Sequence, residues 1–202
     1  MKPDEIERRS MEIIESELQI SLPEEVKPIV KRVIHATADF SFAEALYFTA
    51  GIVPHMQAML KAGAWVITDT NMALAGISKP AAAKLGIRLA CHMAEPDVAN
   101  EAKVRGVTRA LVSMERALTE RGPKIFVCGN APTFLWPLLD GPYPDDIAVI
   151  GAPVGFVNVV EVKQQLRESG IPAIIAMGRR GGSGVAAAIV NALLYGIEGV
   201  RL

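Results

Sequence analysis

The sequence predicts an α/β fold, a three-layer α/β/α sandwich with a mostly parallel five-stranded sheet. One supporting feature is the segment 145–195, DDIAVIGAPVGFVNVVEVKQQLRESGIPAIIAMGRRGGSGVAAAIVNALLY, in which two apolar runs flank a helix-compatible stretch and a glycine-rich loop opens a small-residue helix. This order predicts right-handed parallel βαβ wiring. A second feature is that earlier apolar runs alternate with helical segments, which is typical of a sheet covered by helices.

Apolar periodicity, with glycine and proline as stops, places the individual elements. Helices are predicted at residues 5–18, 28–35, 44–49, 54–62, 79–85, 98–104, 109–120, 134–139, 158–169 and 185–194. Strands are predicted at residues 65–68, 87–93, 125–128, 147–150 and 172–177. Pro28 opens the second helix, and Gly63, Gly86, Gly106 and Gly170 end others.

The 202-residue chain is predicted to form a single domain over 1–202. Residues 1–62 form an N-terminal helical segment of that domain, and residues 63–202 form its α/β core. No internal repeat, low-complexity stretch or long linker divides the sequence.

Composition narrows the class of protein. Hydrophobic residues make up 50% of the chain and the mean hydropathy is +0.28, so either subunits bury surface against each other or both faces of the sheet are covered. A net charge of −1 gives no case for nucleic-acid binding. The charged, helical N-terminus is not a signal peptide, and interrupted apolar stretches predict no membrane span. Cys91 and Cys128 fit buried thiols in a reducing compartment, so we expect a cytoplasmic protein.

The glycine-rich loop 178–184 is the first candidate binding site. In parallel sheets ligands sit beyond the carboxyl ends of the strands, and this loop follows a strand and opens a helix. Backbone N–H groups of Gly181, Gly182 and Ser183 at a helix start favour an anion, and Arg179 and Arg180 add forks suited to carboxylate or phosphate. A surface turn with solvated arginines is the alternative. A Walker A loop and a dinucleotide fingerprint are absent from the sequence.

Two further strand-end turns fall at the same predicted edge. Asp69 and Asn71 follow the first predicted strand, and Asn130 and Thr133 follow the third. Aspartate and asparagine commonly make local backbone bonds in such turns, which is the structural alternative for each turn alone. Their convergence on one edge predicts a binding site there.

His35 is the candidate proton-transfer residue. Arg32 precedes it by three residues, which puts both on one helical face. The spacing alone favours a structural histidine over a catalytic one, and His55 and His92 have no partner pattern. His, Cys, Asp and Glu show no metal-ligand spacing, and a Gly-x-Ser-x-Gly elbow is absent from the sequence.

Five segments together resemble the precorrin-8X methylmutase (precorrin isomerase) family of cobalamin biosynthesis. They are IVKRVIHATADF (29–40), DTNMALAGI (69–77), GNAPTFL (129–135), GAPVGFVNVVEVK (151–163) and GRRGGSGVAAAIVNALL (178–194). The resemblance covers nearly the whole chain in the family's order. It departs from the family pattern at Val162 and Ala110, which affects fine contacts more than the reaction.

The resemblance implies an isomerase that moves a methyl group from C-11 to C-12 of precorrin-8X or of its cobalt-bearing counterpart. The product is hydrogenobyrinic acid, or cobyrinic acid when cobalt is present. It also implies no external cofactor or methyl donor, no protein metal site, cobalt only where the substrate carries it, and a homodimeric sandwich.

The resemblance also implies residue roles. His35 maps onto the proton-handling histidine, and Ser10, Arg32 and Arg109 map onto substrate-contacting positions. The substrate is a planar macrocycle rimmed with carboxylates, so it needs an apolar slot and donors around the slot. We expect the slot to be flanked by Phe40, Met72, Phe134 and Phe156, and the cationic donors of the rim to be Arg32, Arg109, Arg179 and Arg180. The full set of expected substrate-binding residues is Ser10, Arg32, Asp69, Asn71, Arg109, Asn130, Thr133, Arg179, Arg180, Gly181, Gly182 and Ser183.

Three alternatives stay open at this point. A nucleotide-binding oxidoreductase is disfavoured by the absent fingerprint. A non-enzymatic corrinoid carrier would use the same slot without a titrating His35. His35 as an axial ligand to substrate cobalt would prevent turnover of the metal-free substrate.

Overall fold

One mixed sheet organises the computed structural model, which describes residues 2–200. Within that range the sheet has six strands in the order β1-β6-β5-β4-β2-β3. The strands are β1 (Leu46–Phe48), β2 (Trp65–Thr68), β3 (Arg88–Ala90), β4 (Lys124–Cys128), β5 (Ile147–Gly151) and β6 (Ala173–Ala176). Only β1 runs antiparallel to its neighbour, and the other four neighbouring pairs are parallel.

The helices alternate with these strands along the chain. They are α1 (Pro3–Glu17), α2 (Lys27–Thr37), α3 (Phe42–Ala45), α4 (Ile52–Lys61), α5 (Asn71–Gly76), α6 (Lys79–Lys84), α7 (Pro96–Arg105), α8 (Arg109–Thr119), α9 (Trp136–Leu139), α10 (Val159–Glu168) and α11 (Ser183–Tyr195). A 3₁₀ turn, Pro132–Phe134, precedes α9. The α/β class is confirmed, and so is the parallel β5-α10-β6 unit.

The prediction of a helix at 44–49 is wrong, and this error accounts for the sixth strand. The segment ends the short α3 and then forms β1, which pairs antiparallel with β6 in the register Leu46 to Ala176. Pairing with the exposed edge of β6 outweighed the local helical pattern, since strand formation depends on partners distant in sequence. Because β1 lies within 1–62, that segment contributes to the sheet as well as to its helical cover.

Two apolar cores cover the two faces of the sheet. Strand residues alternate between faces, so Val66 and Ile125 pack beneath α2, α4 and α11, while Ile67 and Phe126 pack beneath α8, α9 and α10. Covering both faces within one chain is enough to explain the near-continuous apolar strands and the 50% hydrophobic content. No helix within 2–200 has the length and apolar character needed to cross a membrane.

This topology brings several loops to the carboxyl edge of the parallel strands. The segments after β2, β4, β5 and β6 all emerge there. Helix α8 precedes β4 and runs back along the sheet, so its N-terminus returns to the same edge. A hydrogen bond from Thr108 Oγ1 to Thr133 Oγ1, 2.8 Å long, joins that N-terminus to the turn after β4. Arg109, the next residue, is exposed beside it.

Candidate active site

Asp69 shapes the loop after β4 from inside the protein. The residue is fully buried, and its carboxylate oxygens accept backbone hydrogen bonds from Gly129 (2.8 Å), Asn130 (2.7 Å) and Ala131 (2.8 Å). Burial raises the pKa of Asp69, and these donors oppose that rise. The structure therefore gives Asp69 a positioning role. The exposed neighbours Asn71 and Asn130 present their amides at the surface.

The loops after β2 and β4 pack tightly against the start of α11. Thr70 Oγ1 lies 2.8 Å from Ser183 Oγ and also caps α5 by accepting from the Ala73 N–H. A Cβ at Gly129 would lie 2.8 Å from Ser183 Cα, so only glycine allows this approach. Ser183 is consequently buried at the base of the edge and is fixed by a neighbouring loop.

The loop after β6, residues 177–182, carries Arg179 and Arg180, and we call it the arginine loop. It is held from two sides. Gly182 N–H donates to Ala152 O (2.8 Å) and Gly155 N–H donates to Arg179 O (3.1 Å), which joins this loop to the loop after β5. A Cβ at Gly181 would lie 2.3 Å from Ala152 O, so the two backbones meet at a glycine. The loop is therefore built into the sheet edge and is not a free surface turn.

The two arginines of this loop have different surroundings. Arg180 Nη1 lies 2.9 Å from Asp39 Oδ2 and also contacts Ser41 Oγ, so it anchors the segment after α2. The Arg179 guanidinium lies over the Phe156 ring, 5.4 Å from its centroid. Both arginines are exposed, and each guanidinium has more N–H donors than these contacts use.

Lys163 is a buried cation beneath the same loop, and the sequence-based prediction did not include it. Its Nζ donates to Gly178 O and to Arg180 O, each at 2.8 Å. Desolvation lowers its pKa to about 8. The sequence held one signal for its burial: Lys163 lies four residues after Val159 and three before Leu166, on the apolar face of α10.

Large apolar side chains are exposed beside these polar groups. Met72 is 75% exposed and Phe156 is 81% exposed, so both are available to a flat ligand. The prediction that Phe134 flanks the ligand is wrong, because Phe134 is fully buried and packs edge to face with Phe126 at 6.5 Å. Phe40 is half-buried against the core.

His35 lies in the last turn of α2, and its side chain is exposed. Helix α2 packs along α11 and continues through Ala38, which has a left-handed backbone, to Asp39. Arg180 of the arginine loop donates a hydrogen bond to Asp39, and His35 precedes Asp39 by four residues. His35 therefore lies on the helix that leads to this contact, outside the loops of the sheet edge.

Ser10 and Arg32 lie farther from that edge, where α1 packs on α2. Arg32 Nη2 pairs with Glu7 Oε1 at 2.6 Å, and its guanidinium lies 5.2 Å from the centroid of Tyr195 near the far end of α11. Ser10 Oγ donates to Ile6 O within α1. Arg32 also lines a cleft of about 410 Å³ between α1, α2 and the end of α11. In this single chain the two residues do not meet the sheet-edge loops.

Among residues 2–200, no group of three or more His, Cys, Asp and Glu side chains is arranged to hold a metal ion. His92 is buried and its Nδ1 lies 2.7 Å from Glu95 Oε1, while His55 is exposed on α4.

Comparison with known proteins assigns this arrangement to a family. A sequence model of the precorrin-8X methylmutase family matches residues 5–196. The chain belongs to the precorrin-8X methylmutase family.

Its relatives in this family cover nearly its full length. It is 41% identical over 201 residues to the cobalt-precorrin-8 methylmutase of Salmonella typhimurium, covering 96% of this chain and 95% of the relative. It is 36% identical to the precorrin-8X methylmutase of Pseudomonas aeruginosa, covering 93% of each chain. The crystal structure of precorrin-8X methyl mutase from Thermus thermophilus superposes with a TM-score of 0.85 at 33% identity, covering 94% of this chain and 96% of that one.

Membership in the precorrin-8X methylmutase family confirms the resemblance inferred from the five segments. It also confirms the enzyme class, an isomerase of the cobalamin pathway, and sets aside the nucleotide-binding oxidoreductase. Relatives named for the cobalt-bearing substrate and for the metal-free substrate both match over more than nine-tenths of this chain.

Proposed function

We propose that the chain catalyses migration of a methyl group from C-11 to C-12 of precorrin-8X or cobalt-precorrin-8, giving hydrogenobyrinic or cobyrinic acid. The observation that carries this proposal is the composition of the sheet edge. Arg179 and Arg180, the start of α11 and the exposed Met72 and Phe156 lie together there. A planar apolar ring with a carboxylate rim needs this combination of apolar surface and cationic donors.

His35 supplies the acid–base chemistry in this proposal. A methyl shift within a conjugated ring needs no protein nucleophile. Protonation of a ring position makes the shift accessible, and return of that proton sets the double bonds of the product. One histidine can perform both transfers as general acid and then general base. The rest of the site holds one tautomer and excludes water.

The rim contacts are divided among several elements. Arg179, Arg109, Asn71, Asn130 and the N–H group of Gly181 are the donors at the sheet edge, whereas the Gly182 N–H already donates to Ala152 O. Asp69, Thr133 and Ser183 fix the loops that carry them, as their hydrogen bonds within the protein indicate. Ser10 and Arg32 would contact a substrate that extends along α2.

The reaction consumes no external cofactor or methyl donor, because the migrating methyl group is already on the ring. Cobalt, where present, enters as part of the substrate. His35 acts as a proton carrier and does not ligate cobalt, so metal-free substrate also turns over in this proposal.

Anaerobic incubation of the purified protein with each substrate, followed by absorption spectroscopy, tests the proposal. We expect conversion of at least one substrate to product, seen as a change in the absorption spectrum. Binding of both substrates without any spectral conversion would instead identify a corrinoid carrier. Conversion of the cobalt-bearing substrate alone would restore the axial-ligand role for His35.

A further inference from the structure

The buried ammonium of Lys163 has no counter-charge among the residues described. Two backbone carbonyls, Gly178 O and Arg180 O, accept its hydrogen bonds, and both belong to the arginine loop. Lys163 lies in the second turn of α10, near the end at which the helix dipole is positive and disfavours a cation. A buried charge in such surroundings is costly, and its two hydrogen bonds connect it to the loop above it.

The two carbonyls lie on either side of Arg179. Their bonds to one Nζ fix the carbonyls before and after this arginine, while Arg179 O itself accepts from Gly155 N–H. Hydrogen bonds from an ammonium are roughly twice as strong as those from a neutral donor. The loop conformation that presents Arg179 and Arg180 is thus tied to the charge on one side chain.

We propose that Lys163 is a positioning residue that holds the arginine loop firmly in its binding conformation when protonated and less firmly when neutral. The hold on the loop is argued from the two hydrogen bonds of Lys163 and does not depend on the proposed function. Its consequence for ligand affinity rests on the proposed function, since it requires that Arg179 and Arg180 bind carboxylates of the macrocycle.

The surroundings of Lys163 isolate its titration. Desolvation lowers the pKa of Lys163 to about 8, so its titration falls within a pH range that experiments can reach. Cys128 on β4 is the nearby titratable group, and burial raises its thiol pKa well above the usual value, so it stays neutral there. Strands β5 and β6 and helix α9 carry no ionisable side chain, and Glu161, Arg167 and Glu168 of α10 are exposed. Guanidinium groups and ordinary carboxylates keep their charge between pH 7 and about 9.

Loss of the Lys163 proton has opposite effects on the stability of the whole protein and on the hold of the arginine loop. Between about pH 8 and the ordinary lysine value of 10.5, the unfolded chain holds this proton and the folded chain does not. Stability contributed by Lys163 therefore rises with pH in that window. Loosening of the arginine loop over the same window would consequently not reflect global destabilisation caused by loss of the Lys163 proton.

Hydrogen–deuterium exchange with mass spectrometry tests the proposal on Lys163→Met, with Lys124→Met as the control. Lys124 is also buried and also donates to a backbone carbonyl, Gly122 O at 2.8 Å, but it lies at the opposite edge of the sheet. We expect protection of peptides covering 152–157 and 177–184 to fall about tenfold or more at pH 7 in Lys163→Met, since two charge-assisted bonds are lost. Lys124→Met should leave it unchanged. Protection within twofold of native in Lys163→Met would overturn the proposal.

A pH series on the native protein provides the second arm and does not depend on the variant folding. After correction for intrinsic exchange rates, protection of 177–184 should fall about threefold or more between pH 7 and 9, as neutral hydrogen bonds replace charged ones. A flat profile would overturn the protonation dependence. Titration with hydrogenobyrinic acid, the proposed product, should show weaker binding over the same range. Loss of loop protection without binding of this acid at any pH would contradict the proposed function and leave the role of Lys163 standing.

Discussion

At the scale of single residues, the buried side chains of Asp69 and Lys163 each hold a loop of the sheet edge through hydrogen bonds to its backbone. Asp69 and Asn130 each follow a parallel strand, and the expectation that both lie at the carboxyl edge of the sheet is confirmed. That Asp69 turns inward to three backbone N–H groups depends on the fold of the loop after β4, which lies about 60 residues later and has no local signature. The position of Lys163 on the apolar face of α10 indicated its burial, but its hydrogen-bond partners, 15 and 17 residues later in the chain, had no sequence signal.

His35 gives the sharpest prediction at this scale. His35→Ala should abolish methyl migration while binding changes little, because one exposed imidazole is a small part of the surface that a macrocycle covers. General acid–base groups typically contribute about 10²–10⁴ in rate. Single-turnover absorption kinetics and a separate binding titration would measure the two quantities, with His55→Ala, an exposed histidine on α4, as the control.

His35→Asn separates proton transfer from orientation. The amide keeps a hydrogen-bond donor but does not titrate near neutral pH, so this variant should be as inactive as His35→Ala. Near-native turnover of metal-free substrate by His35→Asn would show that His35 only orients the ring. Loss of binding in both variants would make His35 a ligand contact or a structural residue.

At the scale of elements, the sequence was most informative where the pattern is local. The β5-α10-β6 unit, with its glycine stops, was placed within one or two residues. The error at β1 arose because a three-residue strand has almost no periodicity, and only its partner β6 defines it. Helix α5 was also missed; it has six residues, and its clearest signal is the Thr70 cap.

The arginine loop carries the prediction that belongs to this scale. Arg179→Ala should weaken binding of hydrogenobyrinic acid by about 1.5–3 kcal/mol, or about tenfold to 150-fold, if its guanidinium meets a carboxylate. Turnover at saturation should change less, and the salt dependence of binding should decrease. Arg121→Ala is the matched control, because Arg121 is exposed between α8 and β4 at the opposite edge of the sheet.

Arg180→Ala should have a compound effect, because Arg180 also pairs with Asp39 and Ser41. Its loss should weaken binding and also loosen the segment that joins α2 to the edge. Unchanged affinity in both arginine variants, measured by titration, would show that the loop is not an anion site.

At the scale of the whole molecule, one chain covers both faces of its sheet, so the apolar content alone does not require a partner. The exposed apolar surface is more informative. Val154, Phe156 and Val157 in the loop after β5 are 44%, 81% and 75% exposed, and Val160, which follows them in the first turn of α10, is 40% exposed. Contiguous exposed apolar surface of this kind is typical of an interface. Ser10 and Arg32 also lie apart from the edge loops within one chain, so a second chain is one way to bring such residues to one substrate.

We therefore predict a homodimer whose interface includes Val154, Val157 and Val160 and adjoins the Phe156 side chain that faces the substrate. A stable interface of this class typically covers more than about 2,000 Å² in total. Sedimentation velocity at micromolar concentration should give a dimer for the native protein. Val157→Lys should shift the protein toward monomer, because a cation would be buried in an apolar contact. Val104→Lys is the matched control: Val104 is 79% exposed on α7, away from the loop after β5, and its variant should remain dimeric.

A native protein that sediments as a stable monomer would contradict the prediction outright. A Val157→Lys variant that remains as dimeric as Val104→Lys would place the interface elsewhere on the surface.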